Sequence, residues 1–313
     1  MKLAPESTIG VVGCSSPLQA PEADDCLAAI RQLESKGYRL LIGKTAFASE
    51  GYRTATIADR VTDIERMIQD RVSVILSTTG GYNCNEMLEF LDWKLIEQNP
   101  VPLVGYSDMT ALALPLHARA GVRTVSGPML IDHPHDEQAL DRLITFLEQG
   151  KPDLSLPPLL WEGKDEPIEN TPPIQVLPRK EESASGSLIA ANLSTFNLLL
   201  ATPYLPPMKD ILLFLEYDCE ESHALPSLQR LLWQIRQAGV FKDIGALVFG
   251  RLPAAARAEE TPERTIREIL AEVTNGYSFP VLFDAPFGHL YPSWILPNGA
   301  HLSVEKNKIQ SEE

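Results

Sequence analysis

Apolar positions run along this chain in two rhythms. In the first half, short β-branched runs alternate with longer stretches whose apolar residues recur at helical spacing. Residues 8–12 are the first such run, closed by Gly13. Pro21 then stands at a helix start, Cys26, Ile30 and Leu33 line one face, and Gly37 stops it. A second short strand is expected at 40–42, a helix at 61–69 with Val61, Ile64 and Ile68 inward, and a buried strand at 72–76. Asn83-Cys84-Asn85-Glu86 has the form of a capping box for a helix carrying Leu88, Leu91 and Leu95. A strand at 101–104, a helix at 111–120 and a helix opened by Asp136, with Leu140, Leu143 and Leu147 inward, complete the series. Such βα alternation predicts a parallel sheet covered on both faces.

The rhythm breaks at residue 151. Prolines at 152, 157, 158, 167, 172, 173 and 178 forbid a continuous helix there. Order returns with an apolar run at 188–191, a helix at 195–201, a strand at 211–215 ending on Glu216, a helix at 226–238 and a strand at 244–249 closed by Gly250. A helix at 262–273, a strand at 281–283 and an alternating strand at 301–305 follow, and the polar tail 306–313 is expected to fray. The prediction is an α/β protein in three parts. Residues 1–150 form a doubly wound parallel-sheet domain, 151–185 a Pro-rich linker or excursion, and 186–313 a smaller mixed α/β domain.

Composition narrows the function classes. The net charge of -15 argues against nucleic-acid and anionic-membrane partners. No apolar run reaches the roughly 18 residues of a membrane span, and the N-terminus shows no apolar h-region, so a cytoplasmic protein is expected. Cys14, Cys26, Cys84 and Cys219 show no paired spacing and read as free thiols in a reducing compartment.

Candidate chemistry centres on Gly105-Tyr106-Ser107-Asp108-Met109-Thr110. A strand, a sharp turn and a helix meet there with a hydroxyl at the apex. Such an elbow lifts a serine oxygen out of the sheet and aims the amides of the helix start at it. The same residues also suit a plain serine N-cap, and Met109 stands where a G-x-S-x-G elbow has its second glycine. Gly80-Gly81 can present backbone N–H groups at close range but matches no P-loop or dinucleotide fingerprint. Cys84 is a rival nucleophile or a buried helix thiol. Among the histidines, His117 lies mid-helix, His133 and His135 flank Pro134 without a third metal ligand, His223 sits in an acidic loop, and His301 lies on the last strand. His289, in a Gly/Pro-bounded loop past a strand, can be aimed at a crevice or serve structure alone. Glu216, at the end of five apolar residues, either pairs or reaches solvent.

Taken in order, these pieces resemble the LD-carboxypeptidase family of serine peptidases. The resemblance covers nearly the whole chain and lies closest to the family's microcin-immunity branch. It is carried by Thr79-Gly80-Gly81-Tyr82-Asn83, Gly105 to Asp108, Gly127-Pro128, Asn192-Leu193-Ser194-Thr195, Thr202 to Pro206, Phe214-Leu215-Glu216 and Gly288-His289. It implies a metal-independent, cofactor-free Ser107-His289-Glu216 triad split between two domains, with the active site at their interface. The backbone N–H groups of Gly81 and Asp108 would form the oxyanion hole. Tyr82, Asn83, Asn192 and Trp161 would contact substrate, Trp161 by stacking on a nucleotide base. The implied substrate is a small peptide or aminoacyl-nucleotide conjugate, and the implied assembly a homodimer. The alternatives are a murein tetrapeptide LD-carboxypeptidase and, in another class, a catalytically silent small-ligand-binding protein. An α/β-hydrolase shares the order Ser, acid, His, but the missing elbow glycine and the split domains speak against it. Two departures stand out: Ala190-Ala191 replaces the family's usual Gly-Gly, and Tyr82-Asn83-Cys84-Asn85 departs from the murein branch.

Overall fold

The computed structural model describes the chain apart from residues 1, 2, 5, 156–159, 162–166, 169–172, 219–222 and 313, and without the side chains of 160, 161, 167, 168 and 255. It divides into two compact units, Met1–Pro152 and Asp153–Glu313.

In the first unit, strands β1 (Thr8–Val12), β2 (Arg39–Ile42), β3 (Val74–Ser77), β4 (Leu103–Val104) and β5 (Thr124–Ser126) pair in parallel in the order β5-β4-β3-β1-β2. β3 is wholly buried, as a parallel strand covered on both faces must be. Helices α1 (Ala20–Ser35), α2 (Ile57–Gln69), α3 (Trp93–Gln98), α4 (Thr110–Ala120) and α5 (Ala139–Gln149) connect or follow the strands. The strand order reverses direction between β1 and β3. In open parallel sheets that switch point leaves a crevice at the carboxyl ends of the strands. Ser15-Ser16 follows β1, Gly80-Gly81 follows β3 and Ser107 follows β4, so all three turns lie at those ends.

The second unit contains a short pair, β6 (Leu160–Trp161) against β7 (Pro167–Ile168). Its main strands are β8 (Gln175–Leu177), β9 (Ser183–Asn192), β10 (Leu212–Glu216), β11 (Ala246–Gly250) and β12 (Val281–Ala285). The chain closes with β13 (Leu296–Pro297), β14 (His301–Glu305) and β15 (Lys308–Ser311). The main sheet runs β15-β14-β9-β10-β11-β12-β8, with parallel pairing from β9 to β12 and antiparallel pairing at both edges. Helices α6 (Leu193–Leu199), α7 (Ala224–Gln237), α8 (Ala254–Arg257) and α9 (Ile266–Val273) complete it. Leu188, Leu212, Phe214, Val248, Leu282 and Phe287 belong to one buried apolar cluster, with Phe214 and Phe287 rings 5.5 Å apart.

Three local expectations are corrected. Asn83 to Glu86 does not cap a helix: residues 84–87 make one 3₁₀ turn, and α3 starts only at Trp93, under an Asp92 cap. Glu86 bonds Arg60 instead, at 2.6 Å, so a tertiary ion pair took the side chain that a capping box would need. The 306–313 tail does not fray through its length. Lys308–Ser311 pairs with β14 because Ile309 finds a buried place opposite Val304. The strand before the serine is only Leu103–Val104, since Pro102 has no N–H to give a ladder.

Candidate active site

Ser107 occupies the turn between β4 and α4 with φ of 58°. A non-glycine residue in the left-handed region carries strain, and such strain gathers at functional turns. Ser107 is buried at 6% exposure, and Asp108 behind it at 1%. Met109, at the second-glycine position of a G-x-S-x-G elbow, is fully buried and packs onto Gly105: a Cβ on Gly105 would lie 2.8 Å from Met109 Cγ.

The Gly80-Gly81 turn lies directly against this elbow. A Cβ on Gly80 would sit 2.9 Å from Ser107 Cβ and 3.5 Å from the Asp108 amide nitrogen. Gly81 has φ of 140°, and a Cβ there would collide with Ser16 Oγ and Ser15 Oγ. Conformation and space therefore both demand glycine there. Ser107, Asp108 and Gly81, proposed from sequence as nucleophile and oxyanion donors, thus gather at one turn cluster of the first unit.

The second unit brings Glu216 and His289 together. Glu216 ends β10, 3% exposed, and its Oε2 accepts from His289 Nδ1 at 2.7 Å. A carboxylate can only accept, so Nδ1 carries the ring proton and Nε2 is left as the basic nitrogen. The other oxygen, Oε1, accepts from Asn192 Nδ2 at 3.0 Å. Gly288 makes the approach of the loop possible: at φ of 101°, a Cβ there would lie 2.7 Å from both Glu216 Cβ and Oε2. Asp218 places an oxygen 3.9 Å from His289 Nε2.

Other sequence candidates fall differently. Asn192 holds Glu216 with one end of its amide, while Oδ1 caps α6 by accepting from the Thr195 amide at 3.1 Å. Asn83 is buried and accepts from Arg60, whereas Tyr82 is 67% exposed. Trp161 pairs through its backbone with Pro167, and its side chain lies outside the described residues. Cys84 is fully buried, and desolvation, followed by the nearby Asp108 charge, pushes its thiol well above the ordinary range. Burial likewise pushes Cys14 up to about 12. Neither offers a thiolate at neutral pH. His117 Nδ1 lies 3.3 Å from the Val122 carbonyl, and His301 pairs with Glu312 at 2.7 Å. Among the described residues, no group of three His, Cys, Asp or Glu side chains could hold a metal ion, and no helix is long and apolar enough to cross a membrane.

Two residues were not singled out from sequence. Arg60 lies on the buried face of α2 with Val61, Ile64, Met67 and Ile68. A cation within an apolar stripe is the signal that could have marked it. Ser15 follows β1, at a strand end like the two turns above.

The residues matched by two family models decide the family. The LD-carboxypeptidase N-terminal domain matches residues 9–127 and the LD-carboxypeptidase C-terminal domain matches residues 185–304. The chain belongs to the LD-carboxypeptidase family. This LD-carboxypeptidase family member is therefore an enzyme of the serine-type carboxypeptidase class. It is similar to the microcin C7 self-immunity protein MccF of Escherichia coli, 27% identical over 97% of this chain and 92% of that protein. It is similar to the murein tetrapeptide carboxypeptidase of Pseudomonas aeruginosa, 26% identical over 96% of this chain and 95% of that one. Among solved structures it resembles MccF in complex with aspartyl sulfamoyl adenosine, with a TM-score of 0.86, 26% identity, and coverage of 100% of this chain and 98% of the other. Ala190 and Ala191 lie inside regular β9, opposite Phe214 and Leu215, without positive φ. The pairing brings Asn192 opposite Glu216.

Proposed function

We propose that this chain is a metal-independent serine peptidase that hydrolyses the amide of a small aminoacyl-nucleotide conjugate or peptide. Ser107 is the nucleophile, His289 the general base and Glu216 its orienter. The N–H groups of Gly81 and Asp108 receive the oxyanion. Ser107 Oγ attacks the carbonyl carbon while His289 Nε2 takes its proton, and Glu216 stabilises the resulting imidazolium. The tetrahedral intermediate collapses, the C–N bond breaks, and His289 returns the proton to the leaving nitrogen. Water then repeats the sequence on the acyl-enzyme and frees Ser107. The observation that carries this reading is the 2.7 Å bond from His289 Nδ1 to Glu216, which leaves Nε2 basic; the strained Ser107 supports it.

The nucleotide part of the reading is supported by the likeness to MccF holding aspartyl sulfamoyl adenosine. Near-equal similarity to the murein tetrapeptide carboxypeptidase supports the second reading, release of a terminal D-alanine from a murein tetrapeptide. Family resemblance supports a homodimer, and four cysteines without paired spacing support the cytoplasm as its compartment.

A fluorophosphonate that labels serine nucleophiles tests the assignment. Wild type should be labelled at Ser107, and Ser107→Ala should stay folded, unlabelled, and slower by about 10⁵-fold or more, on triad precedent. Parallel assays on aspartyl sulfamoyl adenosine and murein tetrapeptide then separate the two substrates. Absence of labelling together with absence of turnover on both would leave a binding protein. Retained turnover in Ser107→Ala would reject the serine as nucleophile.

A further inference from the structure

Asp108 is the first residue after the proposed nucleophile. An acid in the first turn of a helix ordinarily faces its own helix N-terminus. This carboxylate reaches elsewhere. Its Oδ2 accepts from Ser15 Oγ at 2.5 Å and from the Cys84 backbone N–H at 2.8 Å, partners 93 and 24 residues away. Ser15 Oγ in turn lies 3.4 Å from the Asn83 N–H that donates to it. Ser16 N–H donates to the Gly80 carbonyl at 3.1 Å. One carboxylate oxygen therefore ties the turn after β1 and the chain just beyond Gly81 to the elbow after β4.

The Gly80-Gly81 turn is enclosed by those ties. Ser15 and Ser16 back onto Gly81, and Ser107 faces Gly80. Arg60, with no exposed side-chain surface, ties the flanking segments together as well. Its Nη1 shares two N–H groups among the Cys14 carbonyl, the Asn83 carbonyl and Asn83 Oδ1, at 2.8–3.0 Å, and its Nη2 donates to Glu86. A buried carboxylate is costly unless its oxygens accept hydrogen bonds. Here the donors that satisfy Asp108 are the groups that hold the glycine turn.

We propose that the Asp108 carboxylate, acting through Ser15 and the Cys84 amide, is a positioning residue that keeps the Gly81 and Asp108 N–H groups in the register an oxyanion requires. The proposal rests on the serine-peptidase reading and assigns the Asp108 side chain a task separate from that of its backbone. Two donors on different turns can serve one oxygen only if the turns cannot slide, and a shift of about 1 Å can cost 10²-fold in rate.

Labelling of Ser107 by a fluorophosphonate tests this without knowledge of the substrate, because the phosphoryl oxygen uses the same two N–H groups. Removing an oxyanion donor typically costs about 10²–10³ in rate. Asp108→Ala should lower the labelling rate by about that much, and Ser15→Ala by about 10- to 100-fold. Asp108→Asn keeps an oxygen acceptor and should recover to within about tenfold of wild type. In steady state, kcat should fall with KM within about twofold, since an oxyanion contact is made in the transition state. A merely structural role would lower Tm without that split and without rescue by Asn. If Asp108→Ala does not fold, Ser15→Ala, which removes one hydroxyl, decides. Folded variants labelled at the wild-type rate, or a rise in KM with kcat unchanged, would overturn the proposal and leave the serine assignment standing. Wild type unlabelled at Ser107 would instead remove the reading beneath it.

Discussion

At the carboxyl ends of β3 and β4, the proposed site of the first unit is framed by backbone. Gly81 at φ of 140°, Ser107 at φ of 58° and the amide of Asp108 set its shape, the Ser107 hydroxyl is the proposed nucleophile, and the side chains of Ser15 and Asp108 tie the turns together. At the carboxyl ends of β10 and β12, the second unit works with side chains: Glu216, His289 and Asn192 form a chain of hydrogen bonds, and the backbone contributes chiefly by getting out of the way at Gly288. Each half is therefore vulnerable in its own way. A backbone site fails when a Cβ or a slipped turn displaces an N–H. A side-chain site fails when one functional group is exchanged for a near-isostere that cannot perform the same proton exchange.

The side-chain half should break most sharply. Glu216→Gln preserves shape but replaces the acceptor of the His289 Nδ1 proton with an amide, favouring the wrong tautomer. On the precedent of triad acids, kcat should drop by about 10⁴-fold with KM nearly unchanged. Activity within tenfold of wild type would show that Glu216 does not orient the base.

Gly81→Ala attacks the backbone half. The new Cβ meets Ser15 and Ser16 at an unfavourable φ, so the turn must shift. We expect a loss of about 10²–10³ in kcat, the range of a lost oxyanion donor, together with a lower Tm. An alanine variant with full kcat would place the oxyanion donors elsewhere.

The smallest effect sharpens the comparison by exclusion. Cys84→Ser should retain activity within a few-fold, because a buried thiol held well above its ordinary pKa supplies no nucleophile. Folded wild type should resist iodoacetamide at Cys14 and Cys84 at pH 8, since burial pushes both thiols up, Cys14 to about 12. Rapid alkylation with matching inactivation would reopen the thiol as nucleophile.

Much of this site was legible because its constraints are short-range. The strand–turn–helix around Ser107, the Gly80-Gly81 turn, Glu216 at the end of an apolar run and the Gly288-His289 loop all announce themselves through neighbours in the chain. Resemblance to a family then linked them. The misreadings share one cause. Asn83 to Glu86 has the local form of a helix cap, but Arg60 captured Glu86 from 26 residues away. The tail looked polar, yet β14 offered Ile309 a buried place. Asn192 shows a further long-range tie: its amide holds Glu216 and caps α6.

Local sterics and periodicity are properties of a few consecutive residues, so the βα order, the glycine turns, the serine elbow and the places of the acid and the histidine can be read along the chain. Hydrogen bonds between residues 73 or 93 positions apart depend on which strand ends the sheets bring side by side. That Glu216 pairs with His289 Nδ1, that Asn192 braces Glu216 and that Asp108 ties three turns together therefore emerge from the fold. Each such bond has a high cost if left unmade once buried. That cost makes these pairings specific, and none of it is visible until the chain has folded.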